Sequence, residues 1–447
     1  MNREPDAITR LFRTCDPNES LKPDDPRYVN CDDVRGEKLV EIFARDLRMA
    51  DPTKPLVKLF AGHRGVGKSS ELLRLQALLE QPTSGEGARR PFKTVLIKAD
   101  ESLDLNDLDF PDLLVLVAAE LQKQLGTQNA GPGTQSVSLR AIWNDFRDLV
   151  PSDATVKEAE VSVGFAKLVL DIRNRPNARK QLREAIELHN TRLLAAVNDL
   201  LREANVNLRQ KGDCEGLVLI VDGLDHLVRR DLEGGTNTHE RLFIHRCSQL
   251  ASLQAHTIYT VPISLYYSPL SGQLQQTIGE FNIPLSMIRL REGSRSELTP
   301  ATPGMKKMWE ILDKRCARAN VNINDLFDSP KTGHYVCEMS GGHPRHLLMF
   351  IQAACGAVDA LPITRVAAER AVSNYANSLF RQIPDDFWPK LRKFDKPQKD
   401  IPRDDVHQQM LFLLHVFEYM NATPWYEVNP VVRTISKFAA GKRRPGR

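Results

Sequence analysis

The sequence predicts an α/β fold, a three-layer sandwich around a mostly parallel sheet, followed by a helical lid and a small C-terminal module. Three observations predict it. An apolar run of strand length, Leu56–Ala61, passes through a glycine-rich loop into the helical pattern Ser70–Leu79. A second continuous apolar run, Leu217–Val221, suits a strand covered on both faces and stops at an acid, Asp222. Beyond Pro303 the pattern turns mainly helical up to about Leu379.

With 447 residues, at about 100–200 per domain, the chain is long enough for two to four domains and a large core. Apolar residues are 41% and charged residues 26%, which excludes a disordered, collagen-like or fibrous chain. No apolar run approaches membrane-spanning length, and Met1–Asp6 begins no secretory signal, so a cytoplasmic protein without membrane contact is expected. The seven cysteines are scattered without a C-x-x-C pair and are expected as free thiols in a reducing compartment. Net charge is +4, but Lys437, Lys442, Arg443, Arg444 and Arg447 in a tail at 437–447 account for more than that. Residues 381–436 carry eight basic and eight acidic side chains. The excess is a basic tail rather than a nucleic-acid-binding face.

The loop itself is Gly62-His63-Arg64-Gly65-Val66-Gly67-Lys68-Ser69, with Ser70 opening the helix. This is G-x-x-x-x-G-K-S between a strand and a helix, the setting a phosphate-binding P-loop requires. Glycines let successive backbone N–H groups turn inward around phosphate oxygens, and the helix N-terminus adds its positive end. Lys68 is expected to reach the β- and γ-phosphates of ATP, and the Ser69 hydroxyl to ligate Mg²⁺. Asp222 is the expected metal-positioning acid. Asp225, three residues on, is assigned either to orienting the attacking water or to a supporting role, and a helix cap is the competing reading. Gly223 stands where many hydrolytic relatives have a glutamate, which predicts slow turnover.

Gly62–Ser69, Leu217–Asp225 and Ser340-Gly-Gly-His-Pro-Arg-His-Leu-Leu348 together resemble P-loop ATPases of the AAA+ and STAND group. The likeness is to origin-recognition (ORC-like) ATPases and to bacterial ATPases often found with defence genes, and it covers about residues 25–430. It implies that Arg345, in the lid, contacts the nucleotide, against the plain reading of Gly341-Gly342 and His343-Pro344 as helix ends with Arg345 solvated. It makes Tyr28 and Val29 base-contact candidates, and Thr260, then Ser264, γ-phosphate sensors. A subunit-bridging arginine falls on Arg246, Arg289 or Arg291. The implied cofactors are ATP and Mg²⁺, and the implied partner a second copy or another protein.

The organisation then reads as follows. Residues 1–50 form an N-terminal segment near the nucleotide base, and 51–300 the P-loop ATPase domain, with a helical insertion at about 127–210. Residues 301–380 form the lid, 381–436 a winged-helix-like module, and 437–447 the tail. Strands are expected at Phe92–Lys98, His256–Val261 and Ile283–Leu290, and a helix at Phe110–Leu125. Thr127–Thr134 reads as a break. Arg179–Leu208 reads as an amphipathic helix with Leu182, Ile186, Leu193, Leu194, Val197, Leu200 and Leu201 on one side, serving either a partner or the sheet. Pro384, Pro389, Pro397 and Pro402 suggest a linker. A helix at Val406–Phe417 and a hairpin at Glu418–Val428 follow. The resemblance allows DNA binding through this module, but its neutral charge favours packing within the chain or against a protein. His63 and Arg64 are expected to be solvated on the loop crown or to lie at a subunit edge.

Overall fold

The computed structural model describes residues 5–440 except 52, 86, 130–168, 171, 172, 175, 280–282 and 293–297. Strands β1 (Val57–Gly62), β2 (Lys93–Lys98), β3 (Leu217–Asp222) and β4 (His256–Pro262) form one parallel sheet in the order β1-β4-β3-β2. Parallel neighbours need long crossovers, and helices supply them here. Alternation along β3 divides the two faces. Leu217, Leu219 and Val221 join one core with the helices Phe110–Asn129 and Pro176–Gln210. Val218 and Ile220 join another with Leu39–Met49 and Lys68–Leu79. This is the expected three-layer P-loop sandwich.

The lid is a third core. Helices Pro303–Arg318, Pro330–Ser340, Pro344–Cys355 and Arg365–Gln382 pack there with the N-terminal helix Ala7–Thr14. The expected N-terminal segment therefore divides: its first helix lies on the lid, and Leu39–Met49 lies on the helix after β1. In the long helix, Leu193, Val197, Leu200 and Leu201 are buried in the sheet core, as the sheet-packing reading required. The side chains of Leu182 and Ile186 lie outside the described residues, as does the insertion over 130–168.

Four expectations are corrected. The helix from Phe110 continues to Asn129, past the start of the break expected at Thr127–Thr134, whose remaining residues 130–134 lie outside the described ones. The proline-marked stretch is no linker, because Phe387, Trp388, Leu391, Phe394 and Ile401 are all buried in the lid core. The helix expected at Val406–Phe417 spans Asp405–Phe412. It stops where Leu414 takes a left-handed φ of 62°, and Val416–Met420 becomes β5, paired antiparallel with β6 (Pro424–Val428). Finally, Ile283–Leu290 is not a strand of the sheet. Pro284 has no N–H to give, and the amides that follow go to four different elements. Leu285 donates to Ala61 O (2.8 Å), Met287 to Glu418 O (3.3 Å), Ile288 to Gly342 O (3.2 Å) and Arg289 to Val34 O (2.9 Å). One bridge to Gly62 is what remains of β-pairing.

This segment ties sheet, hairpin, lid and N-terminal segment together, and Gly342 is where the tie is tightest. It sits at φ +76°, and a Cβ there would lie 1.9 Å from Ile288 O. Gly342→Ala is expected to cost upwards of about 2 kcal/mol from left-handed strain plus the backbone clash. Gly356→Ala, whose Cβ would meet nothing nearer than 3.7 Å, serves as the control. The check is the melting midpoint, which should fall clearly in the first variant and stay near wild type in the second.

Candidate active site

β1 delivers the chain at Gly62, and two residues of the following loop need left-handed backbone: Gly65 at φ +82° and Gly67 at φ +109°. Gly67 caps the helix Lys68–Leu79, whose first-turn N–H groups have no partners within the helix and so face the loop with the dipole's positive end. The Lys68 ammonium is buried and saturated. It donates to Gly62 O (2.8 Å) and His63 O (2.7 Å) and pairs with Asp225 Oδ2 at 3.0 Å.

Two acids at the end of β3 have different surroundings. Asp225 is buried, which alone would raise its pKa, but Lys68 and then His226 outweigh burial and hold it below the usual carboxylate range. Asp222 is also buried, and burial followed by the neighbouring Asp225 pushes it upward. It accepts from Gly223 N (2.8 Å) and from the Ser69 hydroxyl, and it forms no ion pair among the described residues. A hydroxyl and an uncompensated carboxylate side by side make the donor set Mg²⁺ takes together with waters and phosphate oxygens, so the residues fit that ion.

The loop crown is held from three directions. His63, expected to be solvated, is fully buried: the C-terminal module covers it. Its Nδ1–H donates to Leu411 O (3.1 Å) and its Nε2 accepts from Glu418 N–H (2.8 Å), so the ring is neutral, and burial, then Lys68, push its pKa down to about 3. From the lid, His343 Nε2–H donates to Arg64 O (2.8 Å), while its Nδ1 caps the next helix by accepting from His346 N (3.1 Å). From the N-terminal segment, Arg35 donates to Val66 O (2.8 Å). The Arg64 side chain is exposed. Arg345 is half-buried directly against the loop: a Cβ on Gly65 would lie 2.8 Å from its Cδ. Its charge reaches Asp225 and Asp100, and its Nε donates to Pro17 O (3.2 Å). Gly341 does end a helix and His343 does cap the next, yet Arg345 still faces the loop.

The remaining candidates are placed as follows. Tyr28 donates to Glu71 of the P-loop helix (3.2 Å), and Val29 is buried in the lid core. The Ser70 hydroxyl accepts from Leu21 N (3.0 Å). Thr260 Oγ1 accepts from Leu224 N (3.0 Å), fastening β4 to the turn after Asp222, whereas Ser264 is buried against His239. Arg246 pairs with Asp109, Arg289 donates to Met420 O and Asp33 O, and Arg291 faces Glu427. All three are engaged within their own chain. Sequence reading passed over Arg35 and Asp100. Asp100, two residues beyond β2, had a usable signal, since strand-end acids on one sheet edge converge.

No family model matches this chain, and no curated protein matches it. Among solved structures, the Walker-type ATPase PABY2304 of Pyrococcus abyssi is 14% identical, over 94% of this chain and 99% of that one, with a TM-score of 0.43. Drosophila ORC bound to DNA is 11% identical, over 99% of this chain and 93% of that one, with a TM-score of 0.39.

A neutral His63 wedged between loop and module makes their docking sensitive to acid. Its folded pKa of about 3 lies below the ordinary value of 6.5, so its contribution is complete above pH 6.5 and is lost as pH falls toward 3. At pH 5 the loss is about 2 kcal/mol. Glu418, raised to about 7 by burial, pulls the other way, so the isolating comparison is wild type against His63→Gln. The melting midpoint of the glutamine variant, whose amide reproduces donor and acceptor, is expected to drop less between pH 7 and pH 5.

Proposed function

We propose that the chain is a Mg²⁺-dependent ATP-binding and ATP-hydrolysing switch of the AAA+/STAND kind, in which the nucleotide governs docking of lid and C-terminal module and, through it, assembly. The observation that carries this reading is the crown of the phosphate loop, bonded at once to the lid through His343, to the module through His63 and to the N-terminal segment through Arg35. A ligand shifts a conformational equilibrium only by contacting its states differently. Here every element that would move touches the phosphate loop.

Phosphate would settle on the loop amides and the helix N-terminus, with Lys68 and Arg345 balancing its charge. Lys68 has three N–H groups and three partners, so reaching phosphate means exchanging one of them. Asp225, its counter-ion, keeps the ammonium at the loop during the exchange. Ser69 and Asp222 would hold Mg²⁺, which when bound supplies neutralisation of phosphate charge. Thr260 acts by fixing the turn that carries Asp225. Tyr28, at the P-loop helix, remains the base-contact candidate, and Val29 supports it from the lid core.

A second reading, a DNA-binding ATPase acting through the C-terminal module, meets two features that disfavour it. Both hairpin strands are mostly buried, and residues 381–436 have equal numbers of basic and acidic side chains. Phosphate release per subunit, measured against protein concentration with and without duplex DNA, separates the two. The switch predicts a rate that climbs with concentration, ignores DNA and falls at least about 100-fold in Lys68→Ala and Asp222→Ala. A rate flat in concentration and raised by DNA selects the second reading.

A further inference from the structure

The position after Asp222 is Gly223, which leaves hydrolysis without the carboxylate that would follow the metal acid in sequence. The structure fills that place from the short helix Ala99–Ser102 that follows β2. A Cβ on Gly223 would lie 2.4 Å from Asp100 Oδ1 and 2.6 Å from its Cγ, so the Asp100 carboxylate occupies the space where a side chain at 223 would begin. Backbone geometry keeps it that way, because Gly223 sits at φ +87°, where a larger residue is strained.

Sheet register explains how Asp100 reaches this spot. β2 and β3 are parallel, with Lys98 level with Asp222, so two further residues of chain bring Asp100 to the same sheet edge as the phosphate loop. Its carboxylate is then aimed. Asp100 Oδ2 lies 3.2 Å from His226 Nδ1, and Oδ1 is the oxygen turned toward Gly223. The other nitrogen of His226 faces Asp225 Oδ2 at 3.6 Å, and that carboxylate holds Lys68. A continuous run, Asp100–His226–Asp225–Lys68, thus connects the carboxylate to the P-loop lysine. Exposure separates the three acids. Asp222 and Asp225 are buried, whereas the Asp100 side chain is 33% exposed and is the one that solvent reaches.

Resting on the hydrolase reading above, we propose that Asp100 is the catalytic carboxylate that orients the attacking water and takes up its proton. Water oxygen bonds to the γ-phosphorus as the bond to the β,γ-bridging oxygen breaks. That oxygen leaves with the electron pair on ADP, and the water proton passes to Asp100 and from there to solvent. Asp225 is relieved of this task, since its carboxylate is committed to Lys68. His226 is a positioning residue.

The test measures three quantities on the full chain: ATP affinity, single-turnover phosphate release and melting midpoint. Asp100→Asn keeps an oxygen for His226 but cannot take a proton. It is expected to bind ATP within about threefold of wild type and to release phosphate about 100-fold more slowly. Asp100→Glu should recover at least about tenfold of that loss, since it restores the base. Release by Asp100→Asn within threefold of wild type overturns the assignment while leaving the hydrolase reading intact. Loss of ATP affinity in step with release also overturns it, by showing that Asp100 only shapes the site. If wild type releases phosphate no faster than Lys68→Ala, the hydrolase reading itself fails, and the assignment with it.

Discussion

The lid, the C-terminal module and the N-terminal segment are all fastened to the five residues between the end of β1 and the following helix. The loop offers its carbonyls outward, and three segments far apart in sequence donate to them or lean on them: Arg35 on Val66, His343 on Arg64, and the C-terminal module on the ring of His63. Backbone groups buried without partners cost free energy comparable to a lost hydrogen bond, so the loop cannot shed these donors cheaply. Gly65 sharpens the constraint. With Arg345 and His343 pressed on its Cα face, no room exists for the loop to swell without moving the lid.

The same geometry explains why the C-terminal hairpin is an internal part rather than a projecting one. Trp425 stacks on Tyr419 at a ring-centroid distance of 4.2 Å, and both belong to the core that contains Phe60 of β1 and Ile220 of β3. Tyr419 OH donates to Gly341 O in the lid, and Met287 N donates to Glu418 O. The hairpin therefore touches sheet, lid and crossing segment together. A duplex would compete with aromatic burial worth several kcal/mol for this face. The neutrality of 381–436 fits that internal role, since the surroundings ask for apolar area and individual hydrogen bonds rather than a cationic face.

How much of this was legible in the chain follows from how local each feature is. The phosphate loop is one contiguous string whose glycines are dictated by its own backbone, and β3 announces itself because a strand covered on both faces must be apolar throughout. Arg345 was singled out by the resemblance that Ser340–Leu348 carries, and it lies against the loop. By contrast, His63 was misplaced because its burial depends on Leu411 and Glu418, some 350 residues away. Ile283–Leu290 looked like a strand because apolar, branched residues suit any buried extended segment. Periodicity cannot report that its amides have four separate partners. The helix expected through Phe417 failed for a related reason. Val416 and Phe417 are apolar in either element, and only the left-handed Leu414 ends the helix.

The carboxylates illustrate the limit most clearly. A motif read along the chain looks for an acid beside Asp222 and meets Gly223. Chemistry, however, is read across the sheet edge, where parallel register sets the end of β2 against the end of β3. Once Asp100 stands over it, Gly223 is no longer a deletion of function. It becomes a requirement, because any side chain there would collide with the carboxylate supplied from just beyond β2. A glycine that weakens one strand-end motif and the acid two residues beyond the neighbouring strand thus form one arrangement. Neither residue can be substituted as though the other were independent.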